Sequence, residues 1–300
     1  MKNNILITLP GFEHNNFIIN FYLLYLINKY PHYFYDNIKI ESIYDNFPCI
    51  WGGGRAIPGE GMITNERIAT AITPFLAQGI QIRYNFTNCL LEEKHLYDEN
   101  CNNIVKESIK IANRYNSRIG IVINSPILEK YLRENYPELE FIYSTTIGQI
   151  GLEEINKRTK NNILVLDYMY NNNFEFLQKL ENPQNIEILA NEACLPNCPH
   201  RNLHFKIYSA IQLGRIKIMD NRINASCLNN DKNIKDSIES TQVQMDNFIK
   251  NYLPLKINKL KIVGRLTTIE ELANTYSQWL VKPEYRNEIR RMLNEWKDFN

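Results

Sequence analysis

Eight short runs rich in Ile, Val, Leu and Tyr recur along the chain, each followed by a turn and then by a longer helical stretch. They are NILITLP (Asn4–Pro10), IKIESIY (Ile38–Tyr44), IQIRYNFT (Ile80–Thr87), RIGIVINS (Arg118–Ser125), EFIYSTT (Glu140–Thr146), NILVLDY (Asn162–Tyr168), NIEILANE (Asn185–Glu192) and LKIVGR (Leu260–Arg265). Near-continuous apolar strands that alternate with helices indicate a parallel sheet covered by helices. Eight such units within 300 residues predict one α/β domain, a (β/α)8 TIM-like barrel. The competing architecture is an open, doubly wound sheet. No G-x-G-x-x-G turn follows the first run, which argues against the dinucleotide-binding form of that sheet. The interval 205–259 is too long and irregular for one βα unit and reads as an insertion over the C-terminal face of the barrel.

Composition narrows the function classes. A formal net charge of +1, with Lys and Arg spread along the chain, gives no extended nucleic-acid surface. The most apolar early run, FIINFYLLYLI (Phe17–Ile27), is too short to span a bilayer and reads as a buried helix. The first residues lack the apolar core and cleavage site of a signal peptide. A cytoplasmic protein without a membrane partner is the expectation. Six unevenly spaced cysteines in a chain of this length do not read as a disulfide framework.

In a parallel barrel, reactive groups sit at the C-terminal ends of the strands and in the loops after them. After the second run, NFPCIWGGGR offers glycines that let backbone approach a ligand, Trp51 as a stacking wall, and Arg55. Asn88 follows the third run, and Asn191 ends the seventh; with Trp51 and Arg55 they are the candidate cofactor-binding residues. Asp167 and Glu192 end the sixth and seventh runs and suit a general acid/base pair. Arg201 and Arg265 are candidate anion holders, because a guanidinium pairs bidentately with carboxylate or phosphate.

The densest chemistry lies in NEACLPNCPHRNLHF (Asn191–Phe205). Cys194 and Cys198 form C-x3-C, with His200 and His204 close behind. Thiolates suit zinc or an iron–sulfur cluster, and imidazole suits zinc or iron. Zinc would take Cys194, Cys198 and one histidine, with Cys227 or the other histidine as a fourth ligand. A [4Fe–4S] cluster usually takes four cysteines; Cys227 makes three, and Cys49 or Cys89 would complete the set. The plain alternative is that the cysteines are small buried hydrophobes.

The segment INKLKIVGRLTTIEELANTYSQWL (Ile257–Leu280) resembles the U32 peptidase-like family, whose final barrel strand reads K-I-E-G-R before a helix bearing a tyrosine. Lys261, Ile262, Gly264 and Arg265 match, and Val263 stands where the family usually has an acid. A cysteine loop after the seventh strand, then a further cysteine before the last, follows the same layout across roughly the second half of the chain. The family's glycine between the first two cysteines and serine after the second are absent. The resemblance implies a barrel with a cysteine-ligated iron–sulfur cluster near its mouth. It also implies oxygen-independent hydroxylation of RNA bases or quinone precursors, hence a small-molecule or modified-base substrate and pairing with a related partner chain. Other members are labelled peptidases. Three expectations follow: an iron–sulfur oxidoreductase, a zinc hydrolase, or a ligand-binding barrel pinned by a structural zinc.

Overall fold

A computed structural model of the chain describes residues 4–53, 61–216, 232–265 and 267–295. Its strands are β1 (Ile5–Pro10), β2 (Ile38–Asp45), β3 (Gln81–Phe86), β4 (Gly120–Ile123), β5 (Glu140–Tyr143), β6 (Ile163–Val165), β7 (Ile186–Leu189) and β8 (Lys259–Lys261). Each pairs in parallel with the next, and β8 returns to β1 through Leu6–Lys259, Ile7–Leu260 and Thr8–Lys261. The sheet is therefore a closed barrel, not an open doubly wound sheet. The eighth strand is shorter than its apolar run. Ile262 N still donates to Thr8 O (2.9 Å), but Val263 N turns to the side-chain oxygen of Asn191 (2.7 Å), which ends regular pairing.

Helices α1 (His14–Lys29), α2 (Asn65–Leu76), α3 (Glu99–Asn113), α4 (Pro126–Asn135), α5 (Leu152–Thr159) and the short α6 (Phe174–Leu177) follow the first six strands in turn. Their starts are written in the sequence. Thr64, Asp98 and Ser125 accept the N–H of the third residue beyond them, which satisfies donors that a helix N-terminus leaves open. Between β7 and β8 come α7 (Arg201–Gln212), α8 (Lys232–Glu239) and α9 (Met245–Asn247); α10 (Ile269–Leu280) and α11 (Arg286–Glu295) follow β8. No helix among the described residues is long and apolar enough to cross a membrane.

Strand alternation sorts the side chains. Ile5, Ile7 and Leu9 of β1 pack outward in the large core between barrel and helices, while Thr8 faces the lumen. The lumen is divided in two. One half is a separate apolar cluster of Val122, Ile142, Val165, Tyr168 and Leu189. The other half is polar: Thr8 bonds Ser42 (2.8 Å) and Glu187 (2.6 Å), and Arg83 bonds Glu187 (2.8 Å) and Glu41 (3.1 Å). A register slip opposite Ile7 and Thr8, between Ile40 and Ser42, lets Glu41 reach the same arginine, an example of a bulge re-aiming a side chain. Gly120 is required here, since a Cβ would lie 2.8 Å from the Arg83 side chain.

Candidate active site

The helix α7 roofs the C-terminal mouth. At its first residue, Arg201 donates to Asp167 Oδ2 (2.5 Å) after β6 and to Thr145 Oγ1 (3.3 Å) after β5. Two turns further on, Ser209 takes Asn88 Nδ2 on its carbonyl (3.2 Å) and Cys89 N on its hydroxyl (3.2 Å), both after β3. Twelve residues at ~1.5 Å rise span about 18 Å, enough to bridge opposite strand ends. The helix across the mouth thus starts at Arg201, ahead of the 205–259 interval.

On the β5–β7 side, side chains named from the sequence stand together but hold one another. Asp167 accepts Met169 N (3.0 Å) and Arg201, so both carboxylate oxygens are used. The Arg201 guanidinium also lies over the rings of Tyr168 (4.3 Å) and Phe205 (5.4 Å), and its buried Nε has no hydrogen-bond partner among the described residues. Glu192 folds back on its own loop, accepting Ala193 N (2.9 Å) and Cys194 N (3.2 Å), and stands 3.8 Å from Arg201. Cys194 packs against the apolar half of the lumen, and burial pushes its thiol up to about 11. Cys198 is half-buried on the same loop, His204 is half-buried, and His200 is exposed as the residue preceding α7.

Among the described residues, no three of His, Cys, Asp and Glu are grouped to hold a metal ion. The candidate fourth thiolates stand elsewhere: Cys49 is buried beside Cys101 of α3, and Cys89 Sγ is 3.4 Å from Ser209 Oγ. Arg55 and Cys227 lie outside the described residues. The described donor set therefore supplies two thiols and does not by itself fit a four-thiolate cluster.

Three other sequence-named residues are spent on architecture. Trp51 is fully buried, donates from Nε1 to His95 O (2.7 Å), and packs edge-on to Phe86, so its indole is core and not a wall for a ligand. The glycine after Gly52 serves a close approach of protein to protein, because a Cβ at Gly53 would lie 2.5 Å from the Thr87 carbonyl carbon. Asn88 donates to Ile50 O (2.8 Å) and accepts Leu90 N (2.9 Å). Asn191 exchanges two bonds with Val263 (2.7 and 2.9 Å) and ties β7 to the chain after β8.

The β8–β3 side holds the more open chemistry. Arg265, buried, has Nη1 3.9 Å from Asp45 Oδ1 and lies 5.6 Å from the centre of the Tyr44 ring. Asp45 accepts Phe12 N (3.1 Å) and Asn46 N (2.9 Å). Burial pushes its carboxyl up to about 6, against the pull of Arg265 and the two backbone donors. Along the ends of β2 and β3, Asn46 Oδ1, Asn85 Oδ1 and Thr87 Oγ1 are buried without a hydrogen-bond partner among the described residues. Native interiors leave few such atoms, and those that occur call for an account. Asp45 and Lys261 were not named as site residues from sequence. Asp45 ends β2 as Asp167 follows β6, so the strand-end rule reaches it once the strand is extended by one residue. Lys261 is the last residue of β8, and its inward direction is the signal.

No protein-family model matches the chain, and no curated protein matches it. Among solved structures, the U32 peptidase Mk0906 is similar in fold, with a TM-score of 0.52 at 11% identity, covering 87% of this chain and 93% of that one. At that identity the likeness concerns the fold, which is U32-like.

Proposed function

We propose that the chain is an enzyme that works at the C-terminal mouth of its barrel, beneath α7, on a small substrate carrying an anionic group. The observation that carries this reading is the buried Asp45–Arg265 pair beside unpartnered polar atoms of Asn46, Asn85 and Thr87. A carboxyl near 6 can both give and take a proton close to neutral pH, where general acid–base catalysis is most effective. A guanidinium beside it suits a carboxylate or phosphate. The unpartnered oxygens and hydroxyl suit the donors and acceptors of a polar ligand. Small carboxylates and phosphates, screened by thermal shift, are expected to include at least one that raises the melting temperature of the wild type and not of Arg265→Gln. At a hundred times Kd the gain is about 2.7 kcal/mol. A panel with no stabilising member, or an equal response in the variant, removes the reading.

A second reading concerns a metal, favoured by two thiols, Cys194 and Cys198, near enough on one loop to influence each other. In this proposal they supply soft ligands to an iron–sulfur cluster, in keeping with the U32-like fold, or alternatively to zinc. Cys194 would have to release a proton that burial makes it keep, so loading should grow easier as pH rises. Protein purified without oxygen is expected to carry iron and acid-labile sulfide, lost in Cys194→Ala. Zinc without sulfide transfers the proposal to a zinc site, and a metal-free folded protein ends it.

A further inference from the structure

Hydrogen bonding inside the polar half of the lumen leaves Lys261 out, although by charge it balances the cluster: Glu41, Glu187 and Asp45 stand against Arg83, Arg265 and Lys261. Thr8, Ser42, Glu41, Arg83 and Glu187 bond one another, and Arg265 lies with Asp45. The Lys261 ammonium makes no hydrogen bond or ion pair among the described residues, although Lys261 is only 5% exposed. Its register between Thr8 of β1 and Leu189 of β7 fixes its inward direction. Its Nζ lies 3.9 Å from the centre of the Tyr44 ring, while the Tyr44 hydroxyl is turned away to donate to Ile262 O (3.0 Å). Arg265 borders the same ring at 5.6 Å, so the two cationic side chains flank one aromatic ring.

We propose that Lys261 is a nucleophilic amine that captures a small carbonyl compound bearing an anionic group, an aldehyde or keto acid, as a lysine-bound imine, with Arg265 holding the anionic group. The role given to Arg265 rests on the mouth reading above; the nucleophile does not. Burial disfavours the ammonium and pulls Lys261 down to about 8. Glu187 on β7 opposes that fall, while Arg83 on β3 and Arg265 add to it. Thr8 on β1 and the Tyr44 ring on β2 supply no charge. A desolvated lysine next to other cations is one of the recognised ways to activate an amine. In the step itself, the nitrogen lone pair forms a C–N bond to the carbonyl carbon, and the C=O π pair moves to oxygen, which takes a proton. The carbinolamine then loses that oxygen as water, and nitrogen releases its remaining protons to leave C=N. No oxidant or reductant is consumed.

The test is reductive trapping on the full chain. With glyoxylate and cyanoborohydride at pH 7.5, peptide mapping is expected to place the label on Lys261 ahead of the exposed Lys130 and Lys157. Its free-amine fraction there is roughly two orders of magnitude above that of an ordinary lysine. Lys261→Arg should remove this label and leave the others. Label on Lys130 and Lys157 with Lys261 untouched overturns the proposal in wild-type protein, whatever the variant does. Formaldehyde, which carries no anionic group, separates the two parts. Trapping by formaldehyde but not glyoxylate overturns the anionic substrate class, and trapping by neither overturns the nucleophile. The thermal-shift panel scores the mouth reading independently of either.

Discussion

Replacing Arg83 by methionine is expected to cost about 3–5 kcal/mol, the usual penalty for removing one partner of a buried ion pair. Arg83 is 1% exposed and holds Glu187, which is fully buried, at 2.8 Å, with Glu41 at 3.1 Å and Thr8 at 3.3 Å. Burial alone would push the Glu187 carboxyl up; Arg83 and Lys261, with the Thr8 hydroxyl, hold it below the usual carboxylate range. A carboxyl lowered on folding contributes stability above its unfolded pKa and loses it as pH falls. The deficit of Arg83→Met, measured by urea unfolding, should therefore be largest near neutrality and shrink in acid below about pH 4. The double variant Arg83→Met, Glu187→Met should recover much of the loss, because a buried pair can often be replaced by apolar groups at little cost. A deficit independent of pH, with no recovery in the double variant, would assign the effect to lost packing instead.

That network shows how far the strands could be read from sequence, and where the reading stopped. Runs such as NILITLP and RIGIVINS declare buried parallel strands by composition, and their regular alternation with helices was enough for the barrel. The polar lumen was also visible in principle. Glu41, Arg83, Glu187 and Lys261 sit inside otherwise apolar strands, where a charge has no solvent and must find a partner. Which charges meet depends on the stagger of the barrel and on the slip beside Thr8, and neither is local information. What stands out in the sequence is the large and distinctive residues after the strands. Trp51 is such a residue, and its ring turned out to fill the core against Phe86. Asp167, Glu192 and Arg201 stand out by their places after the sixth and seventh strands, but the pairing of Asp167 with Arg201, which fastens α7 across the mouth, is a tertiary fact. The C-x3-C spacing placed Cys194 and Cys198 on one loop at the mouth; spacing could not show that burial keeps the first of them protonated.

Asp45→Asn is expected to separate stability from function at the mouth. Burial holds the carboxyl at about 6 in the folded chain, well above the ordinary range of an aspartate. A carboxyl raised on folding favours the folded state in its protonated form, so its contribution is full below the unfolded pKa. That contribution is lost as pH rises through 6. That rise corresponds to about 3 kcal/mol of stability forgone by the wild type at neutral pH, an upper figure because Asn cannot keep the attraction of Arg265. Asparagine is neutral at every pH but has one acceptor oxygen where Asp45 uses two, Oδ2 for Phe12 N and Oδ1 for Asn46 N, so one of these bonds is lost and offsets part of the gain. The variant should therefore gain stability over the wild type above pH 6, by up to a few kcal/mol, and show no gain near pH 4. Paired urea melts at those two pH values decide the point. A loss at both would mean that Asp45 is an architectural clamp between β1 and β2, held ionised by Arg265. A gain confined to the higher pH would mean that the fold tolerates a destabilising acid at its mouth, which is the pattern expected where a proton must be moved.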